Sequence, residues 1–331
     1  MWELRNRTPY AAERTIAVDK FGARSYVVVV KGTFGIGADG GLRLSDEQLQ
    51  PETAPRYHGD PGSSSLIYEQ ELVAGKPRTD FLLNAKAHSP TNSATEVTVG
   101  IRTPRGRKVL LVKGDRRWER SAIGTIHSSS PEVFQSMPIV YERTFGGHDR
   151  IDPDEQKHRL DRNNPVGKGF YSDNTHCVGD LLPNIEIPGS TRHVAGFGAL
   201  CSHWEPRIRF QGTYDADWAA SQKPLLPRDY DPQWLQCAPA DQQFSPHLVG
   251  GEVVELFNLT KSGRLTFVLP KHYFAFATYV GQKRLQHRAR LATIIVEPEY
   301  PRVIALWASA LQCHHDIDEI DYTTISEKDY G

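Results

Sequence analysis

Ser25-Tyr26-Val27-Val28-Val29-Val30-Lys31, closed by Gly32, is the stretch that decides the fold. Four consecutive valines leave no polar face, and β-branched side chains suit a pleated surface better than a helix, so the run predicts a strand buried on both sides. Directly after it, Phe34 and Ile36, the turn Ala38-Asp39-Gly40-Gly41, and then Leu42 and Leu44 alternate with period two. An Asp-Gly turn between alternating apolar residues predicts a β-hairpin. Gly35, Gly37 and Gly40 also match the dinucleotide pattern G-x-G-x-x-G, with Asp60 about twenty residues on. That fingerprint needs its third glycine to open an amphipathic helix facing a pyrophosphate, and the alternating Leu42-Arg43-Leu44 does not supply one.

Outward from this hairpin, short apolar or alternating segments occur at residues 66–73, 79–87, 96–102, 108–112 and 118–126. More follow at 208–213, 253–259, 265–269, 273–279, 290–297 and 302–306, all separated by Gly, Pro, Asn or Ser clusters. Such spacing predicts a mainly β protein with sandwich- or barrel-like lobes, long Gly/Pro-rich loops and few short helices. The one candidate longer helix is residues 301–313, although Val303, Ile304 and Leu306 also suit a strand. Residues 137–195 differ, with turn residues and aromatics crowded into long loops that the composition predicts to be packed. One domain is expected over residues 1–321, with β lobes at about 1–136 and 196–321 joined by 137–195. Residues 322–331 are expected as a solvated acidic tail, since 316–329 holds six acids and one lysine.

Composition narrows the function classes. The 331 residues include 27 Gly and 22 Pro but only two Met, a poor supply for long helices and a good one for turns. With 39 Lys and Arg against 40 Asp and Glu, no overall field draws the chain to nucleic acid or to anionic lipid. No run approaches the roughly 18 apolar residues of a membrane helix, and Glu3, Arg5 and Arg7 stand where a signal peptide needs apolar residues. A cytoplasmic location is expected, with Cys177, Cys201, Cys237 and Cys313 reduced and mostly buried.

Chemistry-bearing constellations are sparse. His176-Cys177, Cys201-Ser202-His203 and Cys313-His314-His315 lack the spacing that puts two metal ligands on one element, so no metal is expected. No nucleophile elbow occurs around Ser63-Ser64-Ser65 or Ser128-Ser129-Ser130. Asp215, Asp217, Asp229 and Asp231 could serve acid–base chemistry if they met in a cleft, yet short acids in Pro/Gly-rich segments commonly stabilise turns. Between Arg102 and Arg120, eight Lys and Arg face two acids, which reads as a solvated strand edge, a protein contact or, less readily, a phosphate contact.

A series of motifs runs in order along the chain: Lys31-Gly32-Thr33-Phe34, Lys76-Pro77-Arg78-Thr79-Asp80, Gly114-Asp115-Arg116-Arg117-Trp118, Tyr141-Glu142-Arg143 to Phe145-Gly146-Gly147, and Asn164-Pro165-Val166-Gly167-Lys168-Gly169-Phe170. It continues through Leu182-Pro183-Asn184-Ile185-Glu186, Gly212-Thr213-Tyr214-Asp215 with Trp218, Leu226-Pro227-Arg228-Asp229-Tyr230-Asp231, Ala238-Pro239 with Asp241-Gln242, and Gly250-Gly251-Glu252. In this order they resemble a bacterial domain family, formerly of unknown function, now associated with type VI secretion. Leu291-Ala292-Thr293 and Trp307-Ala308 depart from it, standing where that family has Leu-Asp-Thr and Trp-Arg.

The resemblance implies a non-enzymatic adaptor or chaperone domain with no cofactor. Its partners would be an effector protein, bound through a PAAR-like or other N-terminal region, and the VgrG spike onto which the effector is loaded. Nucleic acid, membrane insertion and a small-molecule ligand are not expected. The alternatives are a hydrolase using Asp or His in the central loops, such as His148, and a structural component of the secretion machinery. An adaptor needs aromatic and arginine anchors on loops held by a rigid scaffold. The expected partner-binding residues are Tyr141, Arg143, Phe145, Lys168, Phe170, Tyr214 and Trp218, with Trp118, Tyr171, Trp204, Tyr230 and Trp234 as further aromatic candidates.

Overall fold

The computed structural model describes residues 2–312 and 319–328. It is mainly β, 42% strand against 8% helix, and among the described residues no sheet closes into a barrel. The valine run lies in strand Arg24–Ile36, at the heart of a seven-stranded sheet. From one edge the order is Gln243–Phe244, Thr79–Leu83, Arg290–Glu297, Arg302–Gln312, Arg24–Ile36 and Ala11–Val18, with Leu42–Leu44 also paired to Arg24–Ile36. The hairpin expected there is present: Phe34 faces Leu44 and Ile36 faces Leu42. Gly40 takes φ +79 in its turn, and a Cβ there would lie 2.0 Å from the Thr266 carbonyl oxygen. Glycine is thus required both by the backbone angle and by the neighbouring chain.

Both faces of this sheet are covered. One face, through Tyr26, Val28, Val30, Ile294, Val303 and Trp307, shares a core with two smaller sheets. The first is five-stranded, ordered Ile185–Glu186, Gly106–Lys113, Glu96–Thr103, Val253–Phe257 and Arg264–Val268. The second is four-stranded, ordered Glu3–Asn6, Ile320–Glu327, Phe274–Val280 and Lys283–Arg288. The opposite face, through Val27, Val29, Leu82, Ile295 and Ile304, is covered by loops that bring in Tyr68, Tyr141, Leu200, Trp204 and Cys237. Burial on both sides is why the strand reads as an unbroken apolar run rather than an alternating one.

Several expectations need correction. The lobes drawn at 1–136 and 196–321 interleave within one sheet, since Arg24–Ile36 pairs with Arg302–Gln312 and Thr79–Leu83 pairs in parallel with Arg290–Glu297. Residues 301–313, read as a candidate helix that also suits a strand, form a strand over Arg302–Gln312, because the sheet buries both faces of its first half. Its end at Cys313 lies outside the described residues. Residues 207–210 make a 3-10 turn rather than a strand. The acidic tail is no free tail in its first part: Ile320–Glu327 is a strand between two others, with Ile320, Thr323 and Ile325 buried. The single α-helix among the described residues is Ala216–Ser221. No helix among them is long and apolar enough to cross a membrane.

Candidate functional site

The central loops are built around one buried amide. Asn164 is fully buried, and its Nδ2 donates to Tyr141 O at 2.8 Å, Thr144 Oγ1 at 3.0 Å and Phe145 O at 3.0 Å. This ties residues 141–145 to residues 164–170, which then pair in parallel, Phe145 with Lys168 and Gly146 with Gly169. Gly146, at φ +143, sits so close that a Cβ would lie 2.3 Å from Asn164 O. Two glycine-rich segments therefore meet backbone to backbone, and the side chains between the glycines are forced outward.

The outward side chains are the ones that the glycine pattern singled out. Phe145 and Phe170 meet edge to face with centroids 6.3 Å apart, a geometry that aromatic quadrupoles favour. Arg143 Nη1 lies 3.3 Å from Asn184 Oδ1 and 3.6 Å from Asp115 Oδ1. Asn184 also donates from Nδ2 to the same Asp115 oxygen at 2.8 Å, so the guanidinium is held by an ordered pair. Lys168 is half-buried, and burial together with the nearby positive charge of Arg143 lowers its ammonium pKa, against the opposing pull of Asp115. Lys168 and Phe170 line a cleft of about 410 Å3 together with His148, Arg150, Tyr171 and Asp180. His148 is also held below its ordinary pKa by burial and by Arg150. The Tyr171 hydroxyl donates to Asp180 Oδ2 at 2.8 Å, and burial and that carboxylate raise its pKa. The wall is thus cationic and aromatic, with Asp180 already engaged.

Four of the seven expected residues, Arg143, Phe145, Lys168 and Phe170, come together. Tyr141 does not share their surface: it is 3% exposed, packs edge to face on Trp204 at 5.6 Å and donates to Gly198 O at 2.9 Å. Tyr214 and Trp218 form a separate pair, centroids 4.7 Å apart, at the short helix that Asp215 caps. The Trp218 indole donates to Leu225 O at 2.9 Å, and Leu225 packs at Gly22 in the turn after Ala11–Val18. Trp204, at 1% exposed, belongs to the core. Sequence reading ranked aromatic residues by type, and type does not distinguish an anchor from a core ring.

Three of the four acids considered for catalysis are engaged locally. Asp215 accepts from Trp218 N at 2.9 Å and Asp231 from Gln233 N at 2.8 Å, while Asp229 takes both Thr213 N and its hydroxyl. Among the described residues no three of His, Cys, Asp and Glu gather as a metal site. Cys313, His314 and His315 lie outside those residues. Half of the basic stretch is paired with acids: Lys108 with Asp241, Lys113 and Arg116 with Glu186, and Arg102 with Glu255.

A larger cleft of about 810 Å3, with Glu52, Tyr68, Glu297, Tyr300 and Arg302 on its walls, escaped the sequence reading. Its deepest acid, Glu297, accepts from Tyr68, from Asn84 at 3.0 Å and from Arg302 at 2.6 Å, so its oxygens are occupied from within. These residues are scattered over some 250 positions, and no local motif marks them.

Comparison with curated proteins and with solved structures found no match. A family model described as an uncharacterised protein conserved in bacteria, DUF2169, matches residues 22–308, and the chain belongs to that family.

Proposed function

We propose that this protein is a non-enzymatic adaptor or chaperone that binds a type VI secretion effector, through a PAAR-like or other N-terminal region of that effector, and helps to load it onto the VgrG spike. The observation that carries the reading is the convergence of Arg143, Phe145, Lys168 and Phe170 on loops clamped by Asn164, with Lys168 and Phe170 lining a cleft. Arginine and aromatic side chains on a rigid frame are what a protein-binding hot spot needs, and preorganised loops lose little entropy on docking. Support also comes from the acids of the 213–231 segment, which serve as caps and turn acceptors rather than as a converging pair. The ordered motif series that resembles the secretion-associated family supplies the partner's identity.

The test is immunoprecipitation of the tagged protein from its native bacterium, with quantitative mass spectrometry. Unmodified protein is expected to enrich a toxin or PAAR-bearing protein together with VgrG. A protein carrying Arg143→Ala and Phe170→Ala should remain folded and lose that partner at least about fivefold, the change that 1 kcal/mol of hot-spot energy gives. Enrichment of metabolic enzymes without secretion components, or equal recovery by both proteins, overturns the reading.

A further inference from the structure

We propose that the solvent-facing side of the four-stranded sheet, bordered by strand Lys283–Arg288, is a second docking surface, and that it takes an acidic protein segment. The pairing register defines this face. Phe276, Thr278, Thr323 and Ile325 point to the core, and the residues between them point away. Across the outer side, Arg284 lies opposite Tyr279, Tyr279 opposite Tyr322, and Tyr322 opposite Glu3. The next row is Gln286, Ala277, Thr324 and Arg5, and the third is Arg288, Ala275 and Ser326. The middle of the face is therefore small side chains, Ala277 among them buried beneath its neighbours, with two tyrosines at one end and arginines on both borders.

Charge selects the occupant. Arg284 and Arg288, on this outer side, are exposed, and among the described residues neither is in an ion pair, while Lys283 lies opposite Val280 on the core-facing side. Among the described acids nearby, Glu3 pairs with Arg5 at 2.8 Å and Glu327 with His272, while Asp321 accepts from Gly281 N at 2.9 Å and keeps its charge. Arg284 and Arg288 thus bring two unpaired positive charges to this border of a chain whose net charge is -1. Carboxylates complement it, and guanidinium groups bind them in a two-pronged geometry.

The tyrosines favour a protein over a nucleic acid. Tyr279 and Tyr322 stack at 4.5 Å with an interplanar angle of 24°, and the Arg5 guanidinium sits 3.7 Å from the Tyr322 centroid. Strand Ile320–Glu327 lies between those of Tyr279 and Arg5, so the two faces of the Tyr322 ring are covered from opposite sides. Single-stranded nucleic acid needs open ring faces for its bases. Tyr322 thus leaves outward its ring edge and hydroxyl, which suit hydrogen bonds to a protein chain. An adaptor joins two partners, and this surface is separate from the cleft lined by Lys168 and Phe170.

Fluorescence anisotropy of the full chain tests this surface with three labelled probes: a peptide alternating glutamate and threonine, its glutamine counterpart, and an oligothymidylate of equal length. The glutamate peptide is expected to bind, to weaken as salt rises, and to lose at least about tenfold in affinity in R284E/R288E while R284K/R288K retains most of it. Reversal of Arg105 and Arg107 on the five-stranded sheet should change little. Amide hydrogen exchange of the unmodified protein supplies an independent reading, with peptide-dependent protection expected over residues 274–288. Preferential binding of the oligothymidylate, equal binding of both peptides, or protection elsewhere with unchanged affinity in R284E/R288E overturns the proposal. The last pattern would leave the arginines with the simpler duty of blocking strand pairing at a sheet edge. None of these outcomes depends on the central cleft, so the effector reading stands or falls separately.

Discussion

The Asp80 carboxylate lies 2.7 Å from the Lys76 ammonium, with both side chains sealed in the core at 0% and 6% exposure. Asp80 also accepts from Gln236 Nε2 at 2.6 Å, Cys237 N at 3.0 Å and Ala238 N at 3.2 Å. One carboxylate thus pins the 236–238 loop onto the central sheet. Asp80→Ala strands a buried lysine and three donors, and it is expected to cost about 3–5 kcal/mol. Urea unfolding measures it, and a loss below about 1 kcal/mol contradicts this account of the loop.

His287 gives a pH dependence. It contacts neutral groups, Ser309 Oγ at 2.6 Å and Thr278 Oγ1 at 3.0 Å, and burial pushes its pKa from 6.5 down to about 4. The folded state therefore holds the ring neutral, and between these values the unfolded chain binds the extra proton. Stability from this group is complete above pH 6.5 and is lost as pH falls toward about 4, by about 3 kcal/mol. Unfolding curves of unmodified and His287→Gln proteins across that window should converge as pH falls. Parallel curves would show that His287 does not carry the effect.

Cys201 and Cys237 are buried, and burial pushes both thiols up to about 12. Thiolate is the reactive form, so both should resist iodoacetamide in the folded protein near neutral pH and react after unfolding. Peptide mapping reads each site separately. Rapid native alkylation of either residue contradicts the packing described here.

Tyr141 and Phe170 come from neighbouring motifs and should separate by phenotype. Tyr141→Ala empties a core position and is expected to destabilise by about 3 kcal/mol. Phe170→Ala removes a half-buried ring at the cleft and should cost far less stability while weakening partner binding. Thermal melts of the two proteins are the check, and equal losses would move Phe170 into the scaffold.

How much the residues disclosed depended on whether burial shows in local pattern. The valine run and the Asp-Gly hairpin were legible because each is a local signal, two-sided burial and a turn. Strand Lys283–Arg288 was missed because an edge strand facing solvent carries charge instead of alternation. Ile320–Glu327 was masked by its acids, although Ile320, Thr323 and Ile325 are its buried residues. At the site, glycine spacing pointed to Arg143, Phe145, Lys168 and Phe170, since close backbone approach needs residues without side chains. Tyr214 and Trp218 separate from them because sequence order says nothing of which loops meet.

The most direct test of the adaptor account is site-specific photo-crosslinking in the native bacterium, with a benzoylphenylalanine at Phe170 and, as control, at Val268, which is 50% exposed on the five-stranded sheet. The account expects a covalent adduct between position 170 and the N-terminal region of a type VI secretion effector, and none of that species from position 268. Capture of that effector from position 268 but not from 170, or no adduct of a secretion component from either, contradicts it.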